Sequence, residues 1–139
     1  ELGMDFASSV GTGAVIGTKF TWPDGPEKVR LTPDKEPHYK KWVSLYNEKM
    51  LSKGEYLNLY DIAYDKPETH VIRKDGKMYY SFFADEWNGE IELRGLEEKE
   101  YSVRDYVNNV DIDVVSHSKY NIDVTFTDRL FIECTPINN

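Results

Sequence analysis

The chain has 139 residues, 40% of them hydrophobic and 14% aromatic, which is enough apolar material for one packed core and argues against a disordered chain. Its net charge of −8 opposes nucleic acid and anionic membranes as partners, because phosphate binding needs a clustered Lys/Arg footprint. The single cysteine, Cys134, excludes an intramolecular disulfide. No apolar run approaches the ~18 residues of a membrane-spanning helix, and the first residues lack the pattern of a signal peptide.

In chain order, the first motif is "VGTGAVIGTKFTWP". Gly11, Gly13 and Gly17 are spaced Gly-x-Gly-x-x-x-Gly, one residue too long for a dinucleotide fingerprint. "GAVIGTK" is one residue too short for a P-loop, and its Lys19 follows Thr18 rather than Gly. A phosphate cradle is therefore rejected, and the glycines read as places where the backbone turns or packs closely. "AVIGTKFTW" predicts a short, largely buried strand, and the proline-rich segment after it a loop.

A helix follows over 33–53. Thr32 is a candidate N-cap with Pro33 at the first helical position; Pro37 offers a later start, with Asp34 or Glu36 near the cap. Tyr39, Trp42, Val43, Tyr46 and Met50 form one apolar stripe, and Lys53 and Gly54 suit its end. "EYLNLYDIAY" then reads as a strand or extended connector. Asp75-Gly76 predicts a tight hairpin between "THVIRK" and "KMYYSFFA". Asn88-Gly89, Asn108-Asn109 and Thr127-Asp128 are expected to be further turns. They would separate strands at "EIELRGL", "EYSVRDYV", "VDIDVV", "YNIDVTFT" and "RLFIECTP". The rings of "YYSFF" fall on both faces of their strand, which predicts burial on both sides, one against a neighbouring domain. The fold expected is mainly β: an antiparallel β-sandwich of about seven to eight strands, Greek-key in type, preceded by a strand, loop and helix.

Chemistry-bearing constellations are sparse. His38, His70 and His117 are scattered without metal-ligand spacing, so no metal is expected. Cys134 lies in a core-like strand, where a thiol behaves as a small hydrophobe. Asp61 and Asp65 around Tyr64, and Asp85 and Glu86 before Trp87, read as solvated turns rather than a catalytic pair. Trp22, Trp87, Tyr79, Tyr80, Phe82 and Phe83 read mainly as core, with a sugar-stacking surface, centred on Trp87, as the alternative.

Three stretches carry a resemblance: "MDFASSVGTGAVIGTKFTWP", the helix ending "YNEKMLSKGEYLNLYD", and "GKMYYSFFADEWNGEIELRGLEEKEYSVRDYVN". Together they resemble the C-terminal end of melibiase-like, α-galactosidase-type glycoside hydrolases of retaining mechanism. The resemblance implies a (β/α)8 catalytic barrel followed by an antiparallel sandwich. Residues 14–22 would then be the last barrel strand, 33–53 the last barrel helix, 1–54 the barrel remnant and 55–139 the sandwich. The catalytic aspartates would lie upstream of Glu1, with no catalytic residue in this chain and no cofactor. Barrel active sites lie at the C-terminal ends of strands, so Lys19, Thr21, Trp22 and Asp24 would sit near the rim, with Trp22 lining the sugar site or only packing there. The implied partners are the upstream barrel, an α-galactoside-like carbohydrate, and a second copy through an exposed helix 33–53. The implied parent is periplasmic or secreted. A free-standing carbohydrate-binding module and a structural interaction domain are the other readings.

Overall fold

The computed structural model describes residues 6–14, 33–34, 36–116 and 120–137. The chain divides into two compact units, Glu1–Lys53 and Gly54–Asn139.

In the first unit, helix α1 spans Phe6–Thr12 and helix α2 spans Glu36–Lys49. The Gly-rich stretch is thus partly helical. Ala7, Val10 and Gly11 are buried along one face of α1, which packs against α2 and the 3₁₀ turn Leu51–Lys53. Gly13 terminates α1 at φ 75°: its N–H donates to Val10 O at 3.4 Å, and Ala14 N–H donates to Ser9 O at 3.0 Å. That pair of bonds is a Schellman cap, which a left-handed glycine makes easily. Of the strand predicted over 14–22, Ala14 belongs instead to the cap of α1, and residues 15–22 lie outside the described residues.

Helix α2 adopts the later of the two expected starts, at Glu36, with Pro33 and Asp34 in a preceding turn. Glu36 pairs with Lys40 at 2.7 Å one turn on. The expected stripe is present, with Trp42 buried and Tyr39, Val43, Tyr46 and Met50 half-buried. The helix stops earlier than Gly54. Met50 takes a left-handed φ of 46°, its N–H still bonded to Tyr46 O at 2.8 Å, and a 3₁₀ turn buries Leu51. Burial of Leu51 outweighs the absence of glycine at the cap.

In the second unit, six strands form one antiparallel sheet: β1 Glu55–Leu57, β2 Glu68–Lys74, β3 Lys77–Glu92, β4 Tyr101–Asp105, β5 Val110–Val115 and β6 Asn121–Pro136. Their order is β1-β2-β3-β6-β4-β5, so the last strand enters between the third and fourth. The Asp75-Gly76 turn is as expected: both residues have positive φ, 52° and 76°, the signature of a type I′ hairpin. Asn109, at φ 56°, turns the chain into β5.

Two expected turns are corrected. Asn88-Gly89 lies inside β3, paired with Thr125 and Val124, and Thr127-Asp128 lies inside β6. The ribbon made by these strands runs unbroken except for a bulge between Ala84 and Glu86, opposite Asp128 at φ 67°. Aspartate's tolerance of left-handed backbone serves to bend a strand here, not to end it. Four expected strands thereby merge into two, which is why the sheet has six. Ladder pairing along the whole ribbon, with Trp87 opposite Phe126 and Ile91 opposite Ile122, overrides the local turn chemistry.

The core lies on one face of this sheet. Val71, Met78, Tyr80, Phe82, Ile91, Leu93, Tyr101, Val103, Val115, Ile122, Phe126, Leu130, Ile132 and Cys134 belong to one buried cluster. A straight strand of β3's length would span roughly 50 Å, yet residues just beyond its end touch its beginning. The Tyr80 hydroxyl donates to Arg94 O at 2.5 Å, and a Cβ on Gly95 would meet Met78 Cε at 3.2 Å and Leu59 Cδ1 at 2.5 Å. The sheet therefore curls strongly on its core face, and Gly95 (φ 90°) permits the close approach.

The expectation for "YYSFF" is met in its burial. Tyr80 and Phe82 face the core, while Tyr79 and Ser81 are buried on the opposite face with Ile72, Phe131 and Tyr106. Tyr79 meets Tyr106 edge-on at 5.9 Å, and Phe131 stacks on Tyr106 at 6.1 Å and meets Phe83 at 5.7 Å.

Candidate functional site

Among the residues singled out in the sequence, Lys19, Thr21, Trp22, Asp24 and His117 lie outside the described residues. Trp87 is half-buried against the core cluster, opposite Phe126. Its indole nitrogen is buried without a hydrogen-bond partner and lies 4.0 Å from the position of a Cβ on Gly89. This indole packs inward, so only part of its ring is free for stacking. Asp85 and Glu86 are exposed at the bulge. Cys134 is buried, and burial pushes its thiol well above the ordinary range, so it is not a nucleophile near neutrality.

Asp61 and Asp65 are brought to a groove of about 490 Å³ lined by Asn58, Leu59, Tyr60, Asp61, Ile62, Asp65 and Arg94. The loop after β1 supplies all but one of these side chains, and Arg94 arrives just beyond β3. Arg94 grips Asp65 with both terminal nitrogens, at 2.8 and 3.1 Å, and donates to Leu59 O at 3.0 Å. Its guanidinium lies 4.8 Å over the Tyr60 ring. The Tyr60 hydroxyl donates to Glu92 O at 2.6 Å and accepts from Arg94 N–H at 2.8 Å. Burial pushes that phenol well above its ordinary range, so it keeps its proton. The hydrogen bond from Arg94, with one from Asp61 N–H, holds Asp65 below the usual carboxylate range. Asp65 is thus a charged anchor and cannot act as an acid near neutrality. The contact spans 29 residues, so no local motif announces it.

A second cluster joins the sheet edge. The Tyr56 hydroxyl lies 2.8 Å from His70 Nδ1, and His70 Nε2 lies 2.8 Å from Glu68 Oε2. Partial burial, then the charge of Glu68, raises the Tyr56 phenol, so the chain of bonds clamps β1 to β2 and generates no phenolate. Among the described residues no group of His, Cys, Asp and Glu is arranged to hold a metal ion.

A β-rich unit of this form is a portion of larger glycosidase chains. The structure resembles a Bacillus halodurans protein provisionally assigned as an α-N-acetylgalactosaminidase, with TM-score 0.62 at 11% identity, over 97% of this chain and 30% of that one. It also resembles an Anoxybacillus α-amylase, with TM-score 0.53 at 14% identity, over 82% of this chain and 26% of that one. At these identities the fold is what is shared. In sequence, the chain is 36% identical over 112 residues to an A type blood α-D-galactosamine galactosaminidase of Flavonifractor plautii, a match covering 75% of this chain and 10% of that protein. No family model matches. The resemblance to α-galactosidase-type glycosidases read from the sequence is borne out by these relatives, of which the chain spans only a small part.

Proposed function

We propose that the chain is the C-terminal part of an α-galactosaminidase- or α-galactosidase-type glycoside hydrolase, and that it supports catalysis without performing it. Residues 55–139 act as a sandwich made by the curled sheet closing over its core, and residues 1–54 as the last strand, loop and helix of a catalytic barrel. The observation that carries this reading is the 36% identity confined to 10% of the galactosaminidase. Supporting it, Asp65 in the groove is tied to Arg94 at 2.8 and 3.1 Å and held below the usual carboxylate range, so it does not supply a general acid near neutrality. In the parent, the barrel would supply both carboxyls, and Trp22, Lys19 and Asp24 would lie near the sugar. The test is hydrolysis of nitrophenyl α-N-acetylgalactosaminide and α-galactoside. The 139-residue chain is expected to be inactive and the parent with its barrel active. Within that parent, Trp22→Ala should raise KM or lower kcat; no change in either would remove Trp22 from the sugar site.

A further inference from the structure

We propose that Asn88-Gly89 is a self-modification site: a deamidating pair that the β3–β6 ribbon holds dormant, and that turns an opening of the ribbon into a permanent change. The proposal rests on the ribbon's own geometry and is independent of the glycosidase reading.

The chemistry comes from the sequence. When glycine follows asparagine, its backbone nitrogen reaches the asparagine side chain freely, because glycine has no Cβ to obstruct the approach. The Gly89 nitrogen attacks Asn88 Cγ, a new N–C bond forms, and the bond from Cγ to the side-chain nitrogen breaks. That nitrogen leaves as ammonia, carrying the Gly89 proton. Water then opens the cyclic imide at either carbonyl and leaves aspartate or isoaspartate. Water is the one co-reactant, and Asn88 is exposed to it.

The structure supplies the restraint. Asn88 and Gly89 lie inside β3, opposite Thr125 and Val124. Ring closure needs the Asn88 ψ to leave the extended range of an antiparallel strand, and ladder pairing keeps it in that range. The side chain is held as well. Thr125 Oγ1 donates to Asn88 Oδ1 at 3.0 Å, drawing the amide across the ladder and away from its own backbone. On either side Trp87 and Ile91 pack against the core cluster, opposite Phe126 and Ile122. The pair therefore does not twist alone; the outer half of the ribbon, beyond the bulge, has to open with it.

The product does not fit back. A carboxylate at position 88 faces Glu86 and Glu90, its neighbours on the same face of β3, and Asp123 on the diagonal. Like charges packed this closely on one sheet face are destabilising. Isoaspartate adds a methylene to the main chain and puts the residues beyond it out of register with β6. Modification is thus slow in the closed ribbon, fast in the open one, and self-reinforcing once made.

The experiment incubates the 139-residue chain at mildly alkaline pH in buffer and in urea and follows Asn88 deamidation by peptide mass spectrometry, with a free peptide of residues 84–93 as reference. In urea the rate is expected to match the peptide; in buffer it is expected to be at least about tenfold slower. Phe126→Leu, which loosens the outer half, should speed modification in buffer and leave the rate in urea unchanged. Asn88→Asp, which mimics the aspartate product, should speed hydrogen exchange at residues 86–92 and 121–127 by about tenfold while residues 78–82 stay protected. Modification in buffer as fast as in urea would overturn the dormancy. A rate in buffer that Phe126→Leu leaves unaltered would overturn the opening route, and unchanged exchange in the Asn88→Asp chain would overturn the one-way effect.

Discussion

The β3–β6 ribbon is two structures in one pair of strands. Before the bulge, where residues 78–82 pair with 130–134, both faces are buried. Beyond it, where residues 86–92 pair with 121–127, one face carries Trp87, Ile91, Ile122 and Phe126 and the other carries Glu90, Asp123 and Thr125 to solvent. Local strand propensity does not make the difference, since hydrogen bonding is continuous. What changes is whether a strand has one apolar environment or two, and the side-chain pattern follows from that. A continuous apolar run and a strict alternation are thus readouts of neighbours, not of the strand itself.

Substitutions on one strand and one face can break this comparison. Phe131 and Asp123 both lie on the face of β6 away from the core cluster, on opposite sides of the bulge. Phe131→Ala should cost about 3–5 kcal/mol in urea unfolding, the usual loss for a buried ring. A loss under about 1 kcal/mol would show that the second face of the inner half is not close-packed. The bulge itself gives the next effect. Asp128→Val, with a branched side chain at φ 67°, should cost about 1–3 kcal/mol. Asp128→Gly should cost nothing or stabilise slightly.

A smaller effect tests the clasp that holds the curled end of β3. The Asp65 carboxyl sits below its unfolded value, so its stabilising contribution is complete above the unfolded pKa. That contribution is lost as pH falls through the lower folded value. Asp65→Asn should lower stability at neutral pH and flatten the acid limb of a Tm-against-pH curve; an unchanged limb would mean the ion pair is idle. Smallest is the outer face. Glu90 lies directly opposite Asp123, two like charges across the ladder. Asp123→Lys should therefore stabilise by about 0.2–1 kcal/mol, more at low salt, and a loss of stability would contradict the solvated-face assignment.

Legibility in the sequence follows the same division. The Asp75-Gly76 hairpin, the helix stripe around Trp42, and the alternation of Ile122, Val124 and Phe126 were readable because local periodicity fixes them. Asn88-Gly89 and Thr127-Asp128 look like turns in the sequence but lie within β3 and β6, because a dipeptide signals only permissible backbone and pairing along the ribbon decides whether a reversal follows. Helix α1 was hidden by Gly11 and Gly13, one of which packs inside the helix and the other ends it. The groove was invisible for a different reason. Asp65 and Arg94 meet only because β3 curls, and no spacing rule brings them together.

We propose that this chain supports a glycosidase without itself hydrolysing glycosides. The most direct measurement is turnover of nitrophenyl α-N-acetylgalactosaminide and nitrophenyl α-galactoside by the purified 139-residue chain at high enzyme concentration. Release of nitrophenol no faster than in buffer is expected. Saturable turnover that co-purifies with the folded chain and disappears on unfolding would contradict it.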